Sequence, residues 1–139
     1  MILVDANLLI HADHPRSPHH DQARRGLEQA LSGPGLIRFA WATLWAFLRI
    51  STSARVFENP LSAAEAVTAW LASPNTGIVE AGERHWEILA GLMKDGQATG
   101  PLVMDASLAA LAIENGATLQ TTDRDFHRFP GFSFVKPLS

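Results

Sequence analysis

The sequence predicts an α/β protein whose sheet is mostly parallel and carries helices on both faces. Two observations predict it. Short apolar runs alternate with segments of helical periodicity along the whole chain, the pattern that gives βαβ units. The 139 residues are 47% hydrophobic and 18% charged, enough apolar material for a core in one domain spanning 1–139 and too few charges for a disordered chain. A third observation places the site: Asp5 follows the run MILV and Asp123 follows ATLQTT. In open α/β sheets, ligands bind beyond the carboxyl ends of the strands.

Each element has a local reason. MILV (1–4) is a buried strand, and a helix is expected over Asn7 to Ala12. DHPRSPHH (13–20) holds two prolines and reads as a loop. Residues 21–32 read as a helix closed by SGPG, and LIRFA (36–40) as a short strand. WATLWAFLRISTSA (41–54) has helical spacing, with Leu44, Phe47, Leu48 and the Trp41–Trp45 pair able to share one face. NPLSAAEAVTAWLA (59–72) reads as a helix with Ser62 as its N-cap and Glu65 completing a capping box. TGIVE (76–80) is a strand, 83–94 a helix and DGQATG (95–100) a loop. Pro101 suits the first position of a helix running to about Asn115, and Gly116 the left-handed position just past its end. ATLQTT (117–122) is a strand ending at Asp123, and SFV (133–135) a last short one.

Composition narrows the function classes. No stretch approaches the ~18 apolar residues of a membrane span, and the opening residues lack the basic region of a signal peptide, so a cytoplasmic protein is expected. Without cysteine there is no disulfide or thiolate metal site. The net charge of -3 argues against a general nucleic-acid binder, so contact with RNA would need a local patch. Nine of the eleven basic residues are arginine, whose planar fork grips phosphate.

The acidic residues carry the chemistry. Asp5 alone is explained by capping the next helix. Asp105 is harder to explain that way: it lies in LVMDASLAALAIEN, where ten of fourteen residues are apolar, so the helix is expected to be largely buried. A carboxylate near a buried face costs several kcal/mol unless partnered. Asp123 and Asp125 straddle Arg124 in TTDRDF, and in a continuing strand both would face one pocket. Carboxylates that converge repel one another unless protonated or held by a cation. Mg²⁺ and Mn²⁺ are the oxygen-seeking ions that would activate water and neutralise a phosphodiester.

These residues carry a resemblance to the PIN-domain toxins of VapBC toxin–antitoxin systems, covering nearly the whole chain. VDANLLIHA resembles the family's first motif, which maps onto Asp5 and Asn7. WAFLRISTSARVF resembles the second motif region. LVMDASLAALAIENGATLQTTDRDFHRF resembles the third and fourth, mapping onto Asp105, Thr121, Asp123, Asp125 and Phe126. RFPGFSFVKPL resembles the tail of one subgroup. The resemblance implies a three-layer α/β/α sandwich and a Mg²⁺- or Mn²⁺-dependent endoribonuclease acting on tRNA or rRNA. It also implies a homodimer and a VapB-type antitoxin whose C-terminal segment lies over the active groove. By the same resemblance, Asp5, Asp105 and Asp123 hold the ion. Asp125 is a further ligand or orients one, Asn7 and Thr121 hydrogen-bond the carboxylates, and Arg49 and Arg124 contact phosphate.

One departure stands out. The second motif carries a glutamate just before Phe-Leu-Arg, and here that place is Ala46. Helical spacing sets position 46 beside 42, 49 and 50, within reach of a pocket. An alanine there implies a natural variant or a glutamate replaced to remove toxicity; the intact remainder favours replacement. Either way, activity is expected to be impaired.

Other features have blander explanations. His11, His14, His19 and His20 could suggest zinc or nickel, but their spacing is not a zinc pattern, and a solvated loop bordering the RNA groove is expected. Trp41, Trp45, Trp70 and Trp86 could stack on bases but are expected in the core or a subunit interface. A phosphoreceiver domain is disfavoured because no aspartate lies at RVFENP, and Lys136-Pro137 comes too late. A non-catalytic RNA- or partner-binding module is the alternative that Ala46 suggests, and a flap-type nuclease would differ in cutting structured DNA.

Overall fold

The computed structural model describes residues 1–53, 61–131 and 133–137. Five strands, β1 (Ile2–Val4), β2 (Ile37–Ala40), β3 (Thr76–Val79), β4 (Thr118–Gln120) and β5 (Phe134–Val135), form one sheet in the order β3-β2-β1-β4-β5. Every neighbouring pair is parallel. The helices are α1 (Ala6–Asp13), α2 (His20–Ser32), α3 (Trp41–Ser51), α4 (Leu61–Ala72), α5 (His85–Asp95) and α6 (Leu102–Asn115). The chain steps outward from β1 through β2 to β3, then returns to place β4 and β5 on the other side of β1. That reversal opens a crevice between the carboxyl ends of β1 and β4, where open α/β sheets bind their ligands.

Alternation along the strands feeds two cores. Leu3, Ala40 and Leu119 join Leu92 of α5 and Ala106 and Ala109 of α6 on one face. Val4, Ile37 and Phe39 join Leu9, Leu44, Phe47 and Trp70 on the other. The three-layer α/β/α arrangement therefore holds. On the second face Trp70 packs between Phe39 and Phe47, with ring centroids 6.3 and 4.9 Å away. Burying a side chain the size of Phe47 stabilises the fold by roughly 1.5–3 kcal/mol.

Several expectations change. In α3 the buried face is Thr43, Leu44, Phe47 and Ser51, whereas Trp41 and Trp45 are exposed. Trp86 is 70% exposed, so of the four tryptophans only Trp70 lies in the core. The reason is rotation: residues 41 and 45 sit about 60–100° of helical turn from the Leu44–Phe47 stripe, and the sheet can cover one stripe only. Ser62 lies inside α4 and cannot be the half-helical cap; the residues before Leu61 fall outside the described ones, as do RVFENP and residue 54 of the expected α3 segment. Pro101 stands one place earlier than expected, as the N-cap, already with helical angles. Among the described residues no helix is long and apolar enough to cross a membrane.

Gly116 ends α6 with φ 63°, and a Cβ built there meets nothing within 4 Å. Its requirement is therefore one of backbone conformation alone. Gly116→Ala is expected to cost about 1–2 kcal/mol in urea denaturation, and Gly116→Asn distinctly less. Equal losses would show that the left-handed turn is not the constraint.

Candidate active site

Parallel pairing of β1 with β4 sets Leu3 against Leu119 and Val4 against Gln120, so Asp5 and Thr121 leave the sheet side by side. The N–H of Asp5 donates to Gln120 O at 2.9 Å. Beyond that point the strands give way to caps. Asp5 Oδ1 accepts from the N–H of Ala6 at 2.7 Å and begins α1, so its capping role is real. Its other oxygen, Oδ2, accepts from the hydroxyl of Thr121 at 2.6 Å. Thr121 is wholly buried, and its Oγ1 also accepts from the N–H of Asp123 at 3.0 Å. Asn7 bonds main chain and no carboxylate in the described contacts: its Oδ1 accepts from Thr122 N at 3.3 Å.

TTDRDF does not continue as a strand. β4 stops at Gln120, and Asp123 caps a 3₁₀ turn over Arg124–Arg128 by accepting from the N–H of Asp125 at 2.8 Å. An aspartate two residues before a free N–H makes this local turn readily. The turn brings both carboxylates to one side, where the strand expectation invoked alternation. Phe126 anchors it, fully buried between Phe129 and Phe134.

Asp105, in the first turn of α6, meets them. Asp105, Asp123 and Asp125 each offer a carboxylate oxygen, and these oxygens lie within 4.8 Å of one another. Asp5 is not one of that group, but its charge reaches Asp105. Burial pushes the Asp105 carboxyl up to about 6, with the charges of Asp123, Asp5 and Asp125 adding to the rise and Arg128 opposing it. Burial also raises Asp5, and Asp123 adds to it, against the Thr121 and Ala6 hydrogen bonds. An all-oxygen, like-charged set of this kind fits Mg²⁺ or Mn²⁺, which would remove the repulsion. Arg128 was not singled out in the sequence; five residues past Asp123, on a turn unforeseen there, it gave no signal.

Beside the carboxylates a cavity of about 530 Å³ opens between α3 and α6, lined by Asp5, Trp45, Ala46, Arg49, Met104 and Asp105 among others. Ala42, Thr43, Trp45, Ala46 and Arg49 form its α3 wall, while Ile50 does not reach it. Arg124 is exposed on the 3₁₀ turn and does not line it. A second cavity of about 550 Å³ under α2 is as large, but none of Asp5, Asp105, Asp123 and Asp125 lines it. The histidines also lie elsewhere. His11 lies in the last turn of α1, about 9 Å of helix rise from Asp5, His14 follows that helix, His19 and His20 begin α2, and His20 lines another cavity with Asp13 and Arg24. None of these four histidines lines the cavity beside the carboxylates. His11 Nδ1 bonds Ser17 Oγ at 2.6 Å and His20 Nδ1 bonds His11 O at 3.1 Å, and among the described residues no three of these histidines converge as metal ligands.

Comparison with known proteins agrees with this geometry. The chain matches the family model described as PIN domain over residues 2–131. It is 41% identical to Ribonuclease VapC37 of Mycobacterium tuberculosis, with 99% of this chain and 97% of that protein covered. Ribonuclease VapC33 of the same organism is 37% identical, with 99% of each covered. Among solved structures, VapBC2 from Rickettsia felis, bound to a DNA fragment from its promoter, matches with TM-score 0.72 at 18% identity over 97% of this chain and 98% of that one. VapC20 of Mycobacterium tuberculosis, a sarcin-ricin loop cleaving toxin, matches with TM-score 0.69 at 21% identity over 99% and 100%. At those identities the two structural likenesses speak to the fold.

The crowding of charge has a measurable consequence. Asp105→Asn removes a carboxylate from the cluster and is expected to raise the melting temperature by a few degrees in EDTA. Mn²⁺ is expected to stabilise the unmodified chain and to stabilise the variant much less. A variant that melts lower in EDTA, or that gains as much from Mn²⁺, would show that Asp105 is not part of a repelling, ion-holding set.

Proposed function

The chain belongs to the PIN domain family, and from that premise we propose that it is the ribonuclease toxin of a VapBC toxin–antitoxin pair, an endonuclease using Mg²⁺ or Mn²⁺ whose cleavage is slowed by alanine at position 46. The observation that carries this reading is the convergence of Asp105, Asp123 and Asp125 to within 4.8 Å at the crevice of a parallel sheet. A bound divalent cation would activate water and neutralise charge on the phosphodiester.

The chain's own residues do the rest. Asp105 and Asp123, with Asp125 or Asp5, supply the oxygens. Thr121 fixes the rotamer of Asp5 and the start of the turn that aims Asp123 and Asp125. Such supporting bonds typically matter 10–100-fold in metal affinity or activity. Arg49, on the cavity wall, is placed to hold a phosphate oxygen of the substrate. Arg124, exposed on the 3₁₀ turn between Asp123 and Asp125, offers a second guanidinium for a phosphate next to the carboxylates. Ala46 shares the wall with Arg49 and can neither hold a cation nor accept a proton. A VapB-type antitoxin is the partner, and covering this cavity would block access to the carboxylates. Ala46 also favours one alternative, an RNA- or partner-binding module that no longer cuts.

The two separate in one comparison. This chain and its Ala46→Glu variant, free of antitoxin, are incubated with total cellular RNA in Mn²⁺, Mg²⁺ or EDTA. The variant is expected to cut discrete RNAs at least about 100-fold faster, with EDTA abolishing the activity. If neither protein cuts RNA and neither binds Mn²⁺, the binding module takes the place of the nuclease.

A further inference from the structure

Trp45 is 64% exposed, on the wall of the cavity that Asp5 and Asp105 also line. Nothing in the fold needs a tryptophan there, because the buried stripe of α3 runs through Leu44 and Phe47. The ring is nevertheless held. Trp41 stacks on it with centroids 6.5 Å apart and planes 22° from parallel. Trp41 itself lines the next cavity along the same edge of the sheet, which shares Ala40, Ala42, Ser107 and Leu111 with the first. The two cavities therefore adjoin as one trough, with Asp5, Asp105, Trp45 and Arg49 lining one part and Trp41 the other.

We propose that Trp45, buttressed by Trp41, is the stacking platform for a base of single-stranded RNA adjoining the phosphodiester to be cut. The inference rests on the ribonuclease reading and deepens it. A phosphate held through a divalent cation at Asp105 and Asp123 would put its flanking nucleotides in the adjoining cavity, and the wall they meet carries one flat exposed ring and one guanidinium. Arg49 lies one helical turn past Trp45, so one strip of α3 offers both a face for a base and a charge for its phosphate. Single-stranded RNA is recognised through unstacked bases laid on aromatic rings, and such stacking tolerates many sequences. Trp86, 70% exposed on α5, does not line either cavity and serves as the control for an exposed ring outside the trough.

The test is the affinity of this slow-cutting chain, in Mg²⁺, for a short fluorescent single-stranded oligoribonucleotide and for the same backbone without bases. Trp45→Ala is expected to weaken binding of the first about ten-fold or more and leave the second nearly unchanged. Trp45→Phe is expected to keep most of the affinity, and Trp86→Ala all of it. The exposure of Trp45 means that its loss opens no core, and melting curves check this. Equal affinity in Trp45→Ala, or an equal loss on the baseless backbone, overturns the platform and leaves the ribonuclease reading standing. So does a change in sedimentation from dimer to monomer with RNA affinity intact, which would make the ring an interface between copies. Failure of the unmodified chain to bind either oligomer overturns both.

Discussion

The hydroxyl of Thr121, wholly buried at the end of β4, donates to Asp5 Oδ2 at 2.6 Å while its oxygen accepts from the N–H of Asp123 at 3.0 Å. The first bond joins chain segments 116 residues apart, and the second fixes the start of the turn that carries Asp123 and Asp125. The first follows from the parallel, in-register pairing of β1 and β4, which brings Asp5 level with Thr121. A buried hydroxyl without partners would cost free energy, so the fold and the site are stabilised by the same atoms. Loss of the pairing would leave Asp5 without its orienting donor and the 3₁₀ turn without its starting point.

Around that pivot the protein gathers like charges where its core would favour none. α6 is mostly apolar and packs against the sheet with Ala106, Ala109, Ala110 and Ala112 wholly buried, yet its first turn carries Asp105 toward Asp123 and Asp125. The unfavourable term sits in electrostatics rather than in backbone: among the described residues no cis peptide occurs, and the one non-glycine residue with positive φ, Gln97, precedes α6. Sites that concentrate charge in this way trade stability for function, and a cation recovers part of what is lost. Small residues help to make room. Ala40, Ala42 and Ala46 leave the cavity open between α3 and α6, and Arg49 brings a positive charge to a wall that otherwise faces carboxylates.

Much of the fold was legible in the chain because its signals are local. The apolar run MILV and the alternating, threonine-rich ATLQTT mark strands whatever their neighbours are, and Gly116 announces the end of α6 by the conformation only glycine takes easily. Where local signals compete, the sequence misled. Trp41 and Trp45 have the spacing of a buried pair, but the sheet covers the Leu44–Phe47 stripe instead. Ser62 and Glu65 have the spacing of a capping box, but Leu61 is already helical.

The sequence by itself determined the succession of strands and helices, the two-faced core and the identity of Asp105 as a carboxylate that packing alone does not explain. These follow from periodicity and from the cost of burying charge, which depend on neighbours in the chain. Which carboxylates meet was decided by tertiary structure alone. Asp125 joins through a capped turn rather than a strand, Asp5 is bonded to Thr121 and stands outside the group of three, and Arg128 arrives to oppose the charge. Those outcomes depend on register between strands more than a hundred residues apart and on how a turn folds over Phe126. No spacing within one segment records either of them.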